Sequence, residues 1–180
     1  MGLLVADSGP LFSLAAADLL PVLDHFFVAV TDVVKEETFD KGSLPNCSIE
    51  AQRLIDYYNR NAPNIEVIST QVGKGLRASR AADPNYQQPR NLGELSIQSY
   101  LIDLRVKSPN SNPIVLFEDG WILRNAAALP LGTLISTESF LIDLQGLQII
   151  RSAAKARVAI QQARPEANLL AHKQAMGKRS

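Results

Sequence analysis

The chain has 180 residues, 46% of them apolar, and its 18 lysines and arginines balance its 18 aspartates and glutamates. This length supports one globular domain with a full core and is too short for two ordinary domains. The single cysteine, Cys47, excludes a disulfide framework or a thiolate zinc site within one chain and favours a reducing compartment. There is no basic leader and no apolar run near the ~20 residues of a membrane span, so we expect a cytoplasmic protein that does not enter a membrane.

The charge is unevenly distributed along the chain. Residues 1–150 carry 11 lysines and arginines against 17 aspartates and glutamates, whereas residues 151–180 carry 7 against 1. We therefore predict a domain over residues 1–163, followed by a basic, flexible C-terminal tail over residues 164–180. The tail would contact a polyanion or an acidic surface, and a solvated tail without a partner is the alternative.

Short apolar runs alternate with helical patterns. The runs at residues 3–6, 26–30, 65–68, 114–117 and 132–135 predict buried strands. Helical spacing is found at residues 11–23 (interrupted by Pro21), 31–40, 48–61, from 92 onward, and at 121–128, 136–144 and 149–163. This alternation predicts an α/β fold, a three-layer α/β/α sandwich around a central parallel sheet of four to five strands.

Residues 69–90 fit neither period, because glycines, prolines and glutamines interrupt them. We interpret the segment as a long basic loop. Loops of this length inside compact domains are usually functional or disordered, so a solvated excursion is the alternative. In the functional interpretation the loop binds nucleic acid through its cations, Lys74, Arg77, Arg80 and Arg90.

Acidic residues end two of the predicted strands. Asp7 follows the first strand, and Glu118 and Asp119 follow the fourth. Because right-handed crossovers align the carboxyl ends of parallel strands, we expect these acids to share one edge of the sheet. Asp119 also precedes a predicted helix, so it could instead be only an N-cap.

Two further acids could reach the same edge. Glu37 lies on the apolar face of its helix, where a carboxylate is costly unless it is paired or binds a cation. Glu94 lies in the first turn of the most regular helix, although the helix dipole alone would account for a negative charge there. Four clustered carboxylates repel one another, and a hard divalent cation such as Mg²⁺ or Mn²⁺ resolves the repulsion. Such ions support phosphoryl chemistry.

Four segments in this order resemble the PIN domains, metal-dependent ribonucleases found in VapC-type bacterial toxins and related stand-alone proteins. The segments are ADSGPLFSLA, VTDVVKEE, LGELSIQSYL and VLFEDGWILRNAA, and the resemblance extends from about residue 3 to residue 160. GTLISTESFLIDLQ is similar to the segment that follows in one bacterial subgroup. The chain departs from the pattern at Thr31, where proline is common, and at Gly120 and Trp121, where charged residues are usual.

The resemblance implies an endoribonuclease with an RNA substrate and a cofactor of Mg²⁺ or Mn²⁺. It assigns the four catalytic acids to Asp7, Glu37, Glu94 and Asp119, with spacing back from Arg124 favouring Asp119 over Glu118. Asp7, Glu94 and Asp119 would bind the metal, and Glu37 would complete the cluster or act on the attacking water. Ser8 and Glu118 would orient these ligands without binding the metal themselves.

The resemblance leaves partners open: an antitoxin protein, a second copy of the chain, or neither. An antitoxin would be expected to cover the acidic pocket and to present an arginine or lysine to it.

Two other classes of protein remain. A non-catalytic PIN-like module would bind nucleic acid or protein through the loop and through the tail cations Arg164, Lys173, Lys178 and Arg179. A haloacid-dehalogenase-like phosphatase would need a second aspartate two residues after Asp7, where this chain has Gly9.

Overall fold

We describe residues 2–176 in a computed structural model, in which helices cover both faces of a six-stranded sheet. The strands are β1 (Leu3–Ala6), β2 (Phe27–Thr31), β3 (Ile65–Ile68), β4 (Ile114–Phe117), β5 (Gly132–Ser136) and β6 (Lys173–Met176). Their order in the sheet is β3-β2-β1-β4-β5-β6, with β6 antiparallel to β5 and all other pairs parallel. The predicted three-layer sandwich is confirmed.

Eight α-helices connect the strands within the described residues. They are α1 (Ser8–Ala16), α2 (Asp32–Glu37), α3 (Ile49–Asn61), α4 (Gln71–Ala82), α5 (Leu92–Lys107), α6 (Gly120–Arg124), α7 (Thr137–Gly146) and α8 (Ala153–Ala163). The predicted break near Pro21 is a 3₁₀ helix, Leu20–His25. The helix predicted over residues 121–128 is shorter, because α6 ends at Arg124 and a 3₁₀ turn, Ala126–Ala128, follows.

The core lies between the sheet and two helical layers. Helices α1, α3, α7 and α8 pack against one another in series, and α2, α4 and α5 form a second group. The central strands are buried almost completely, for example at Val5, Val115 and Leu134. This explains why they read as unbroken apolar runs rather than as alternating ones.

The direction of chain progression reverses between β1 and β4. From β1 the chain moves to β2 and β3 on one side, and then crosses to β4 and β5 on the other. The pairs Leu4–Ile114 and Ala6–Leu116 fix the register of these two strands. The residues that follow them therefore meet at a topological switch point, where open α/β sheets bind ligands.

The prediction of a long loop over residues 69–90 is wrong for the first half of that segment, because it forms α4. Thr70 caps this helix by accepting a hydrogen bond from the Gly73 backbone N–H, and Leu76 is buried against Val33 and Leu92. Gly73 and Gly75 disguise the helix in the sequence because glycine is a poor helix former. Contacts with other parts of the chain, rather than local propensity, stabilise α4.

The tail predicted over residues 164–180 is ordered as far as Met176. Leu169 is buried in the core, and β6 pairs with β5 from Gly132–Met176 to Ile135–Lys173. The pattern of β6 is uninformative because this edge strand is largely exposed, and backbone hydrogen bonds hold it. Lys178 and Arg179 lie outside the described residues.

Candidate functional site at the carboxyl edge of the sheet

Three acids meet where β1 and β4 end. The backbone N–H of Asp7 donates to the Leu116 carbonyl at 3.0 Å, which extends the β1–β4 pairing by one residue and places Asp7 beside the end of β4. Glu118 and Asp119 follow that strand directly. The acids that follow β1 and β4 therefore share one edge of the sheet. A pocket of about 210 Å³ at this edge is lined by Asp7, Glu94, Glu118 and Asp119.

Asp7 is the most buried of these acids, with 3% of its surface exposed. Its Oδ1 atom is buried and has no hydrogen-bond partner in the described part of the chain. Burial raises the pKa of Asp7 well above its usual range, and the negative charge of Glu94 raises it further. A hydrogen bond from the Ser8 backbone opposes this shift. Asp7 is therefore a costly carboxylate that nothing described in the fold neutralises.

Glu37 and Glu94 stand on either side of Gly93 and Asp7. A Cβ on Gly93 would lie 2.9 Å from Glu37 Oε2 and 3.4 Å from Asp7 Oδ1, so α5 passes close to both carboxylates at this glycine. Burial raises the pKa of Glu37, and burial followed by the charges of Asp119 and Glu37 raises the pKa of Glu94. The predicted acids Asp7, Glu37, Glu94 and Asp119 thus influence one another in the folded chain.

Ser8 contacts two of the predicted acids. Its backbone N–H interacts with the Asp7 carboxylate, and its side chain hydrogen-bonds to Glu37 and so opposes the rise in the pKa of Glu37. Ser8 also lines both the acidic pocket and a neighbouring cleft of about 220 Å³ that contains Glu37. Ser8 thus lies next to both Asp7 and Glu37, and its role in orienting the carboxylates stays a prediction.

Glu118 and Asp119 occupy different environments. Glu118 is 6% exposed, and its two oxygens accept hydrogen bonds from Thr137 Oγ1 at 3.0 Å and Arg164 Nη1 at 3.2 Å. Asp119 is exposed and caps α6 by accepting a hydrogen bond from the Trp121 backbone N–H. The N-cap alternative is therefore correct as a description of Asp119, which also lines the pocket shared with Glu94.

The donor set fits a hard cation in chemistry but not in arrangement. All the side chains are oxygen donors, which Mg²⁺ and Mn²⁺ prefer, and Asp7 Oδ1 is an unused ligand atom. Within residues 2–176, however, no group of three or more histidine, cysteine, aspartate or glutamate side chains is arranged so that it could hold a metal ion. The metal assignment to Asp7, Glu94 and Asp119 stays a prediction.

The cations predicted to bind nucleic acid do not share one environment. Arg77 pairs with Asp32 at 2.7 Å and with Glu36 at 3.1 Å, and Arg80 pairs with Glu36 at 2.8 Å. These pairs attach α4 to α2 and occupy both guanidinium groups. Lys74 and Arg90 are exposed and form no ion pair with any residue between 2 and 176.

Two residues at the site escaped the sequence analysis in this role. Arg164 was assigned to the flexible tail, but its side chain is only 17% exposed and reaches Glu118. Thr137 follows β5 and donates to the same carboxylate. Neither position carries a recognisable local signal, because both contacts join residues far apart in the chain.

The chain matches no protein-family model, and neither the curated proteins nor the solved structures contain a significant match to it. The class that the structure defines is therefore a three-layer α/β/α protein with a carboxylate-lined pocket at its topological switch point. None of the helices described between residues 2 and 176 has the length and apolar character needed to cross a membrane.

Proposed function

We propose that the chain is a metal-dependent endoribonuclease of the PIN type, which hydrolyses RNA phosphodiester bonds. The observation that carries the proposal is the buried Asp7 carboxylate with an unpartnered oxygen, at the switch point of the sheet and among other carboxylates. A fold retains such an expensive group where it serves a site. The four segments that resemble PIN domains supply the reaction class.

In this proposal Asp7, Glu94 and Asp119 would hold Mg²⁺ or Mn²⁺, and the ion would supply a Lewis acid for water activation and for phosphate charge. Because the described acids are not arranged to hold an ion, binding would require these side chains to rearrange. Glu37 lines the neighbouring cleft together with Ser8, and burial raises its pKa. Glu37 would accept the proton of the attacking water, and Ser8 would hold Glu37 in place.

The first experiment measures Mn²⁺ binding by calorimetry with the wild-type chain, Asp7→Asn and Asp103→Asn. Asp103 is exposed on α5 and lies outside the pocket, so its variant is the matched control for the loss of one negative charge. We expect Asp7→Asn to weaken Mn²⁺ binding at least tenfold and Asp103→Asn to leave it unchanged.

The second experiment measures cleavage of single-stranded RNA in Mn²⁺ with the same three proteins. We expect the wild type and Asp103→Asn to cleave and Asp7→Asn to be inactive. The proposal is wrong if purified wild type neither binds Mn²⁺ nor cuts RNA. It is also wrong if Asp7→Asn cleaves as fast as the wild type.

A second candidate function is a non-catalytic module of the same fold. The observation that favours it is the arrangement of the acids without metal, because Asp119 is engaged as a helix cap and Glu118 is paired with Arg164. Such a module would bind RNA or a protein partner through exposed cations such as Lys74 and Arg90. RNA binding by the wild type without Mn²⁺ binding distinguishes this candidate from the enzyme.

The role as a toxin, a cytoplasmic location, an antitoxin partner and a homodimer all stay proposals. A toxin should arrest growth when the wild-type chain is expressed and should not do so as Asp7→Asn. Sedimentation measurements would determine whether the chain self-associates, and the neighbouring reading frame would identify an antitoxin.

A further inference from the structure

The residues that follow α8 form one wall of the acidic pocket. Arg164, Glu166, Ala167 and Asn168 line it opposite Asp7, Glu94 and Asp119. The chain thus returns to the end of β1 after its last helix. A cation sits in a pocket that otherwise presents carboxylates.

Contacts on one nitrogen hold the Arg164 guanidinium in place. Nη1 donates to the Gly9 carbonyl at 2.7 Å, to Ser13 Oγ at 2.6 Å and to Glu118 Oε2 at 3.2 Å. The guanidinium also lies 5.8 Å from the centre of the Phe12 ring. Because these contacts restrict the side chain before any ligand binds, little conformational entropy remains to be lost on binding.

The other terminal nitrogen, Nη2, forms no hydrogen bond with residues 2–176, and Nε is 3.5 Å from the exposed carboxylate of Glu166. The fold thus uses one terminal nitrogen of a residue that lines the pocket and leaves the other without a hydrogen-bond partner among residues 2–176. Arginine binds phosphate oxygens through pairs of such N–H groups. The geometry is that of an anion-binding residue that the fold has positioned in advance.

We propose that Arg164 binds a phosphate of the RNA backbone next to the predicted cleavage site. The inference rests on the proposed function and deepens it, since it assigns a substrate-binding residue within the same pocket. Glu118 then acts as a positioning residue, because its hydrogen bonds to Thr137 and Arg164 fix the guanidinium. Arg164 would supply the attraction for phosphate that the carboxylates cannot supply.

The same contacts would also fit the opposite role, in which Arg164 blocks RNA binding. An arginine between carboxylates could occupy the place of the metal and keep RNA out, as an antitoxin arginine would. The two roles predict changes of opposite sign when the guanidinium is removed, so one set of variants separates them.

The test measures RNA binding by fluorescence anisotropy over a range of salt concentrations, with Ca²⁺ replacing Mn²⁺. The variants are Arg164→Ala, Arg164→Lys and Arg157→Ala. Arg157 is the matched control, because it lies on α8, outside the pocket, and its one ion pair with a residue between 2 and 176 is with Glu138. We expect Arg164→Ala to weaken RNA binding roughly tenfold, the loss of one charge-assisted contact, and to lower the log–log salt slope by ~0.7. Arg157→Ala should bind as the wild type does.

Arg164→Lys should retain the salt slope and lose part of the affinity, because lysine keeps the charge and loses the planar pair of donors. Arg164→Ala also leaves Glu118 buried without its cation, so the double variant Arg164→Ala/Glu118→Gln removes that strain. The double variant should unfold thermally close to the wild type and show the same loss of salt slope.

Two results would overturn the proposal: unchanged affinity and slope in both Arg164→Ala and the double variant, or tighter RNA binding in either. Tighter binding would assign Arg164 the blocking role. Cleavage in Mn²⁺ separates this failure from failure of the proposed function. A wild type that binds RNA through Arg164 without cutting it disproves the nuclease alone, whereas a cleaving wild type with unchanged KM in Arg164→Ala disproves the Arg164 assignment alone.

Discussion

Asp7 and Asp32 occupy equivalent places in neighbouring parts of the sheet, and their surroundings differ. Each follows a central strand, β1 or β2, and each is buried, with 3% and 9% of its surface exposed. Asp32 accepts hydrogen bonds from the Thr70 backbone N–H at 3.2 Å, Thr70 Oγ1 at 2.8 Å and Arg77 Nη2 at 2.7 Å. Asp7 has a buried oxygen with no partner among the described residues.

The comparison shows that position at a strand end does not by itself indicate function. Apart from the neighbouring Val33 backbone N–H, the donors around Asp32 come from Thr70, which caps α4, and from Arg77 within α4, so this carboxylate joins two parts of the fold. The groups around Asp7 include three other carboxylates that raise its pKa, Glu94, Glu37 and Glu118. A satisfied buried acid stabilises the fold, whereas an unsatisfied one is retained at a cost in stability.

The largest expected effect is at Asp32. Asp32→Ala removes the acceptor for the buried Thr70 and for Arg77, which is 44% exposed and keeps its pair with Glu36, so we expect it to lower the free energy of unfolding by roughly 2–4 kcal/mol. Urea unfolding at neutral pH measures the change. A loss below about 1 kcal/mol would mean that water replaces the carboxylate and that the contrast with Asp7 is weaker than the contacts indicate.

The next effect concerns the glycine that faces Asp32. A Cβ on Gly73 would lie within 2.5 Å of the Asp32 carboxylate, whereas a Cβ on Gly75 would meet nothing within 4 Å. We expect Gly73→Ala to cost about 2 kcal/mol of stability through overpacking. Gly75→Ala, in the same helix, should instead stabilise by about 0.5–1 kcal/mol through helix propensity. Equal changes in thermal unfolding for both variants would contradict the close approach of α4 to Asp32.

The smallest expected change in the free energy of unfolding is at Asp7, where the substitution stabilises the fold. Burial and neighbouring charges raise the pKa of Asp7 in the folded chain, so stability linked to its protonation is complete below the unfolded pKa and is lost as pH rises through the folded pKa. Asp7→Asn does not lose stability in this way as the pH rises, because asparagine does not titrate. In EDTA we expect the variant to match the wild type at low pH and to exceed its stability by about 1 kcal/mol at neutral pH.

Urea unfolding of the two proteins over a series of pH values measures the Asp7 effect. Glu37 and Glu94 titrate in both proteins, so the difference between the two curves isolates Asp7 and its coupling to them. A variant less stable than the wild type at every pH would show that the Asp7 carboxylate has a stabilising partner.

The sequence was sufficient for the parts of the molecule that depend on local pattern. Unbroken apolar runs predicted β1 and β4 because these central strands are buried, whereas β3 was found although Glu66 interrupts its run and half of the strand is exposed. The order of strands and helices also placed Asp7 and Asp119 at one edge of the sheet. Parallel topology determines that edge without knowledge of any side-chain contact.

The parts that the sequence did not predict depend on contacts between distant residues. Nothing local indicates that Arg77 pairs with Asp32, 45 residues earlier, and so the loop cations appeared free. The role of Arg164 was missed for the same reason, because it hydrogen-bonds to Gly9, which lies 155 residues earlier in the chain. The choice between Glu118 and Asp119 was equally beyond sequence reasoning, because it depends on which of two adjacent side chains points into the core.

The pairing of β6 with β5 matters for folding during synthesis, because β6 is the last of the described strands to be made. Until residues 173–176 have been made, the outer edge of β5 presents the unpaired segment Gly132–Ser136, and such an open edge invites pairing with another chain. The residues that cover this edge follow directly on those that bring Arg164 to Glu118. A nascent chain therefore completes its sheet and the last wall of its acidic pocket at the same stage of translation, and a chain cut after Ala163 would complete neither.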